Sequence, residues 1–187
     1  MDDELGVLDN AVAALARRTP GLATEAAALA EAVRQSVAGR PWRMSFLHRD
    51  FYADQVLALG ASGQTVGLID FDDAKLGEPA VDVANFAAHL VVDALRDAER
   101  GAHVALASGT VPPEPGALVS RAAFLDEYIR LDPALDHVAV AALEAGTLLR
   151  LASIHGARSG HGLEARLVDA SRQALDQVAE QTWNPVR

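Results

Sequence analysis

Residues 44–73 read MSFLHRDFYADQVLALGASGQTVGLIDFDD, and this stretch decides how the rest of the chain is interpreted. It contains three short apolar runs, at residues 45–47, 56–59 and 65–69, which are the strand candidates of the sequence. The segment 60–64 between the last two runs carries two glycines, which predicts a hairpin loop. Polar residues follow the first run and end the third, so a hairpin would bring these two polar segments together.

Helical patterns surround this stretch on both sides. Residues 3–39 are rich in Ala and Leu and are broken at Thr19-Pro20-Gly21, which predicts two helices joined by a turn. A helix is predicted from Pro79 onward, and residues 108–116 form a loop rich in proline and glycine. Further helices are predicted over 117–130, 133–157 and 163–181, with Asp132-Pro133 beginning the second of these. The predicted fold class is mostly α with a small β-hairpin region (α+β).

Length, composition and charge exclude several classes of protein. The chain has 187 residues, a net charge of −10 and no cysteine, so it fits one domain (1–187) without disulfides or a Cys-based zinc site. The acidic balance argues against nucleic-acid binding. The sequence indicates no membrane span and no signal peptide, so a cytoplasmic protein is expected.

The two polar segments carry the residues most suited to chemistry. His48-Arg49-Asp50 follows the first strand candidate, Gln55 precedes the second, and Asp70 ends the third. Carboxylate and amide oxygens are ligands that Mg²⁺ accepts beside phosphate oxygens, which favours Gln55 and Asp70 as a metal site. Asp50 would then be a free carboxylate, able to take or orient the proton of an attacking hydroxyl.

Four motif pieces occur here in a recognisable order: HRDFYADQ at 48–55, a hairpin, IDF at 69–71, and GEPAVDVA at 77–84. Together they resemble the C-terminal lobe of the aminoglycoside phosphotransferase family, small-molecule kinases related to the protein kinases. The resemblance covers residues 48–86, and the surrounding helices fit the same lobe. It implies three parts: a helical hairpin at 1–40, a catalytic loop and metal-binding hairpin at 45–75, and a helical subdomain at 79–187.

The resemblance also implies a role for each matching residue. Asp50 corresponds to the catalytic aspartate, and His48 to the histidine that supports its loop. Gln55 and Asp70 correspond to the ligands of Mg²⁺ bound to ATP or another nucleoside triphosphate. Asp82 corresponds to an aspartate that supports the catalytic loop from the following helix, with Gly77 and Pro79 shaping the turn between them.

The sequence departs from the family pattern at four points. Gln55 replaces the commoner Asn, Arg49 stands where Gly is frequent, and Glu78 stands where Asp is usual. The largest departure is that the family's N-terminal β lobe, with its glycine loop and strand lysine, is not recognisable ahead of residue 45. The single lysine, Lys75, follows the metal aspartate and cannot take that part.

The function implied by the resemblance is transfer of the γ-phosphoryl group of ATP to a hydroxyl of a small molecule, by a lobe that is incomplete without its nucleotide-binding partner. The alternative is a non-catalytic kinase-like module that binds a small molecule or a partner protein. A missing lobe predicts an apolar surface and either a homodimer or a separate N-lobe chain. The acceptor stays undecided between an aminoglycoside and a metabolite alcohol.

Acidic residues on the later helices leave two interpretations. They could line a pocket for a cationic substrate, and the alternative, that they are ordinary surface carboxylates, is favoured. These residues are Asp93, Asp97, Asp126, Glu127 and Glu144.

Overall fold

The computed structural model describes residues 1–59, 65–108, 116–159 and 162–182, and over these ranges the chain is mostly helical. The six helices are α1 (Asp2–Arg18), α2 (Ala23–Val37), α3 (Ala80–Ser108), α4 (Gly116–Leu131), α5 (His137–Ser159) and α6 (Leu163–Thr182). A single 3₁₀ turn at Pro20–Leu22 joins α1 to α2. The prediction of two N-terminal helices around Thr19-Pro20-Gly21 is therefore confirmed, and so is the helical return after Pro79.

Two small antiparallel sheets hold the polar segments. Strands β2 (Val56–Leu59) and β3 (Thr65–Leu68) form the predicted hairpin, whose loop at 60–64 lies outside the described residues. Strand β1 (Ser45–Leu47) pairs with β4 (Lys75–Gly77), which the sequence analysis missed. The segment 75–77 is too short, and too close to a predicted turn, to be recognised as a strand from its pattern alone.

The helical core is centred on α5, which packs against α1, α2, α3 and α6. Its apolar residues recur at helical spacing and are almost completely buried, as Leu148, Leu149 and Leu151 illustrate. They pack against Leu8 and Leu15 of α1 and against residues of α2, α3 and α6. Burying a leucine side chain is worth about 1.5–3 kcal/mol, so these contacts carry much of the stability of the fold.

Helix α5 begins later than the sequence suggested. The backbone N–H groups of Val138 and Ala139 donate to the Asp136 carboxylate at 3.0 Å, so Asp136 caps the helix. The prediction that Asp132-Pro133 begins it was wrong, because the Asp132 carboxylate instead binds the Arg43 guanidinium at 2.5 and 3.0 Å. The pairing of Asp132 with Arg43 joins two segments distant in sequence, which no local pattern reveals.

Helix α5 is also the one described helix that is long and apolar enough to cross a membrane, over His137–His155. Two thirds of that stretch (67%) is buried inside the protein. Because α5 packs against four other helices, it is the core helix of the fold, and this accounts for its apolar composition.

The start of α3 follows directly on β4, whose last residue is Gly77. An added Cβ at Gly77 would come within 2.7 Å of the buried Leu47 side chain, which would then have to shift. Pro79 lies in the turn between this strand and α3. Glu78 is buried, and its carboxylate accepts the backbone N–H groups of Arg43 at 2.6 Å and Ala80 at 3.4 Å, so it ties the helix start to the segment before β1.

Candidate active site

The loop after β1 is fixed by one carboxylate at the start of α3. Asp82 accepts the backbone N–H groups of His48 at 2.7 Å and Arg49 at 2.8 Å, one on each oxygen. Arg49 has a φ of 70°, in the left-handed region that costs an ordinary residue about 1–2 kcal/mol. Two charge-assisted hydrogen bonds offset this strain and hold Asp50, the next residue, in place.

His48 connects the loop to the end of β3. Its ring Nε2 lies 2.7 Å from the Ile69 carbonyl oxygen, which only accepts, so Nε2 carries the proton. The ring is 4% exposed and packs against Phe71 at a centroid distance of 4.7 Å. His48 therefore holds Ile69, and with it Asp70, against the loop that contains Asp50. The ring thus supports the loop through the Ile69 carbonyl and the Phe71 ring.

Gln55 and Asp70 are neighbours at the open end of the hairpin. The Ile69 N–H donates to the Gln55 carbonyl oxygen at 3.1 Å, which extends the β2–β3 pairing by one step. The Gln55 side-chain amide nitrogen then lies 3.5 Å from the Asp70 carboxylate. A half-turn of the amide would place its oxygen at this point, so the pair can offer one carboxylate and one amide oxygen to a common ion.

Asp70 has a backbone conformation that distinguishes it from the strand before it. Its φ is 64°, and Arg49 and Asp70 are the two described non-glycine residues with a positive φ. Both follow short strands and both belong to the motif pieces. A strained backbone persists only where surrounding contacts hold it, and residues of this kind cluster at functional sites.

Negative charge accumulates around Tyr52, which lies between the predicted catalytic and metal residues. Burial and then the carboxylates of Asp50, Asp54 and Asp70 raise the pKa of the Tyr52 hydroxyl. The ring itself stacks on His89 at a centroid distance of 4.5 Å. The Tyr52 ring therefore packs the loop against α3, and its environment shows that three carboxylates share one region.

Asp50 lines a cavity of about 230 Å³ between the loop and the helices. The polar residues of its wall come from α1, the loop after β1, the segment before β4, α3 and α5. They are Glu4, Arg49, Asp50, Asp73, Asn85, Thr147 and Arg150. The predicted catalytic carboxylate thus lies on the wall of this cavity, whereas His48, Gln55 and Asp70 are not among its lining residues.

Asn85 and Arg150 were missed by the sequence analysis. Asn85 donates from its side chain to the Phe51 carbonyl oxygen at 2.9 Å, and its side-chain oxygen accepts from Arg150 at 2.7 Å. Asn85 follows Asp82 by three residues, which places both on one face of α3, and this spacing could have revealed it. Arg150 carries no such signal, because an arginine within a helical pattern usually faces solvent.

The acidic residues of the later helices do not gather into one pocket. Asp97 pairs with Arg100 and Glu127 with Arg130 on exposed helix faces. Glu144 is different, since it is 1% exposed and accepts two hydrogen bonds from Arg121 at 2.7 and 2.6 Å. The interpretation of Glu144 as a surface carboxylate was therefore wrong, and its partner at a distance of 23 residues was not visible in the pattern.

Within the described part of the chain, no group of three or more His, Cys, Asp or Glu side chains could hold a metal ion. A Mg²⁺ ion needs fewer protein ligands than this when it binds with a nucleotide, because phosphate oxygens and water complete its shell. Asp70 with Gln55 satisfies that smaller requirement.

Comparison with known families supports the same assignment. The model of the phosphotransferase enzyme family (APH) matches residues 3–118, which is more than half of the chain and includes every motif piece described above. No curated protein matched the sequence. The chain therefore belongs to the phosphotransferase enzyme family, and its chemistry is of the phosphotransferase type.

Proposed function

We propose that the chain is the C-terminal, kinase-like lobe of an enzyme that transfers the γ-phosphoryl group of ATP, with Mg²⁺, to a hydroxyl of a small molecule. The observation that carries this proposal is the adjacency of Gln55 and Asp70, 3.5 Å apart, in the loop cluster that also holds Asp50. His48 and Asp82 fix these segments relative to one another through three hydrogen bonds.

Gln55 and Asp70 would hold the metal ion. When bound, Mg²⁺ offsets the negative charge of the nucleotide phosphates and orients the group to be transferred. Asp70 supplies a carboxylate oxygen, and Gln55, which is buried, supplies an amide oxygen after the half-turn of its amide described above. Two ligands from rigid backbone give the preorganisation on which phosphoryl transfer depends.

Asp50 would receive the acceptor in the cavity it lines. The acceptor oxygen forms a bond to the γ phosphorus, the bond from that phosphorus to the bridging oxygen breaks, and the nucleoside diphosphate leaves. The hydroxyl proton passes to the Asp50 carboxylate, which also orients the hydroxyl for in-line attack. Asp50→Asn in a complete enzyme is expected to abolish turnover and to leave nucleotide affinity nearly unchanged.

An apolar surface beside this site supports a second lobe or a second chain as partner. Nine large apolar residues between 44 and 76 are exposed: Met44, Phe46, Leu57, Leu59, Val66, Leu68, Ile69, Phe71 and Leu76. A surface of this kind is typical of a contact face. We propose a nucleotide-binding N-terminal lobe as its partner, with a homodimer as the alternative, in a cytoplasmic protein that contacts neither membrane nor nucleic acid.

A non-catalytic kinase-like module is the second candidate. The single lysine favours it, because the Lys75 ammonium donates to Asp3 on α1 at 2.6 Å and so is committed to a surface ion pair. In this alternative the loop cluster binds a small molecule or a partner without transferring phosphate.

The two candidates are separated by calorimetric titration of the 187-residue chain with a non-hydrolysable ATP analogue, with and without Mg²⁺. Mg²⁺-dependent binding that Asp70→Asn abolishes is expected. Asp72→Asn is the matched control, because it removes the same charge from an exposed neighbour two residues away. Binding that ignores Mg²⁺, or that both variants reduce equally, would contradict the metal site.

A further inference from the structure

Among the arginines that the structure describes, Arg150 stands apart because it is partly buried without a carboxylate in ion-pair contact. Its guanidinium donates to the Asn85 side-chain oxygen at 2.7 Å. Within the described ranges, Asp50 and Glu4 are the carboxylates that act on it, and neither forms a hydrogen bond with it. Burial accordingly lowers the pKa of Arg150, and Asp50 and Glu4 oppose that effect from a distance.

Within the described ranges, the other partly buried arginines have carboxylate partners. For example, Arg40 pairs with Asp136, Arg43 with Asp132, and Arg121 with Glu144. A cation removed from water without a paired anion destabilises the fold. A residue that stays buried in this condition is suited to receive an anion from outside the chain.

The charges around the cavity leave Arg150 available for such an anion. Arg49, the other arginine of the wall, is bound to Glu4 at 2.6 Å, so these two charges neutralise each other. Asp73 is exposed at the rim and solvated. The cavity wall therefore carries the Arg150 cation without an ion-pair partner, with the Asp50 carboxylate acting on it from the same wall.

A second polar group lies beside Arg150. Thr147 precedes it by three residues on α5, so both side chains are on the face that lines the cavity. The volume of about 230 Å³ lies below the roughly 300–1,000 Å³ of sites for drug-sized ligands. The site thus fits a compact molecule with an anionic group rather than a large polycation.

We propose that this cavity is the acceptor site and that it selects small hydroxy acids, with the substrate carboxylate on Arg150 and Thr147 and the hydroxyl at Asp50. This inference rests on the proposed phosphotransferase function and names the class of its acceptor. Arg150 is then a specificity-determining residue, because a guanidinium donates to a carboxylate through two parallel hydrogen bonds and has no such partner in a neutral alcohol.

The test is an NMR titration of the ¹⁵N-labelled chain with two pairs of probes that differ by one carboxylate: D-glycerate against glycerol, and L-homoserine against 3-aminopropan-1-ol. Saturable shifts at the Gly146 and Thr147 amides are expected for the acids, with at least tenfold tighter binding than for their neutral or cationic partners. Acetate, which lacks a hydroxyl, is expected to bind more weakly than either acid.

Three variants sharpen the test. Arg150→Gln removes the charge, keeps a donor and is expected to weaken acid binding at least tenfold, whereas Arg150→Lys keeps the charge and is expected to lose less. Arg130→Gln is the control, since this exposed arginine of α4 pairs with Glu127 outside the cavity. Each variant is first shown to be folded by its thermal unfolding.

Four results would each overturn the inference. Two concern the ligands: an acid that binds no more tightly than its partner without the carboxylate, or acetate that binds as tightly as the acids. The other two concern the protein: unchanged acid binding in Arg150→Gln, or no acid binding by the folded chain. The Mg²⁺–nucleotide titration on the same sample separates the two proposals. Intact Mg²⁺-dependent nucleotide binding without acid binding removes the hydroxy-acid site alone, whereas acid binding beside nucleotide binding that neither Mg²⁺ nor Asp70→Asn affects removes the phosphotransferase function.

Discussion

The helices bury their large apolar side chains, whereas the two small sheets leave many of theirs exposed to solvent. In the helical part, Leu149, Leu163 and Leu167 are completely buried, whereas Phe46 and Leu76, paired across the β1–β4 sheet, are each 64% exposed. Of the fourteen large apolar residues that are exposed in the described chain, nine lie between 44 and 76. The helices therefore form the buried apolar core, while the sheets are attached to it and adjoin the proposed site residues.

The attachment of the sheets depends on polar contacts. Two-stranded hairpins are marginally stable in water by themselves. Here Asp82 binds the backbone after β1, His48 binds the backbone after β3, and Asn85 binds the carbonyl of Phe51. A site held this way can be precise without a core of its own, and it leaves an apolar face open for a partner.

The largest effect predicted from this contrast is on stability. Leu149→Ala removes a completely buried side chain and is expected to lower the free energy of unfolding by about 3 kcal/mol, because a cavity remains in the core. Leu76→Ala, in the exposed sheet, is expected to change it by less than about 0.5 kcal/mol. Urea unfolding of both variants measures the difference. Similar losses would show that the sheets share the helical core.

A second prediction concerns the boundary between the two regions, where His89 of α3 stacks on Tyr52. Burial lowers the pKa of His89 to about 4, with Arg150, His155 and Arg96 adding to the effect. Because the unfolded chain takes up a proton near pH 6.5 and the folded chain does not until about pH 4, stability is expected to fall as the pH falls through this window. The loss approaches about 3 kcal/mol at pH 4.

His89→Phe keeps the ring stack and removes the titration. The difference in unfolding free energy between wild type and this variant is expected to depend on pH between 6.5 and 4 and to be constant above that range. A difference that does not change with pH would mean that His89 titrates as it does in the unfolded chain.

The smallest predicted effect is a change in the pKa of Tyr52 when a cation binds at the candidate site. Since the carboxylates of Asp50, Asp54 and Asp70 help to raise the pKa of Tyr52, a cation bound at Asp70 should lower that pKa again. Ultraviolet titration of tyrosinate in the Tyr128→Phe background observes Tyr52 alone, because the chain has two tyrosines. A Tyr52 pKa that Mg²⁺ and nucleotide leave unchanged would count against the metal position.

The same contrast explains which features were predictable from the sequence. The helices could be predicted because a buried face repeats every three or four residues, and the β2–β3 hairpin because its glycines and apolar runs are local. The start of α5 was predicted too early, because the Asp132 carboxylate binds the guanidinium of Arg43, from a distant segment, and does not cap the helix. Strand β4 was missed because three residues carry too little pattern.

The site was predictable to the extent that its residues are close in sequence or match a motif. Gln55 and Asp70 meet because a hairpin joins them, and Asp82 follows from its place in the motif. Arg150 could not be predicted, since its lack of a counter-ion is a property of the packed structure. For the same reason, Glu144 could not be recognised as buried until Arg121 was seen beside it.

The central claim, that Gln55 and Asp70 form the metal site next to Asp50, is tested most directly by replacing Mg²⁺ with paramagnetic Mn²⁺, which prefers similar oxygen ligands. With a nucleotide analogue present, the amide signals of Gln55, Ile69, Asp70 and Asp50 are expected to broaden first, and Asp70→Asn is expected to abolish the broadening. Broadening centred on another acidic surface, or broadening at this site that persists in Asp70→Asn, would contradict the account.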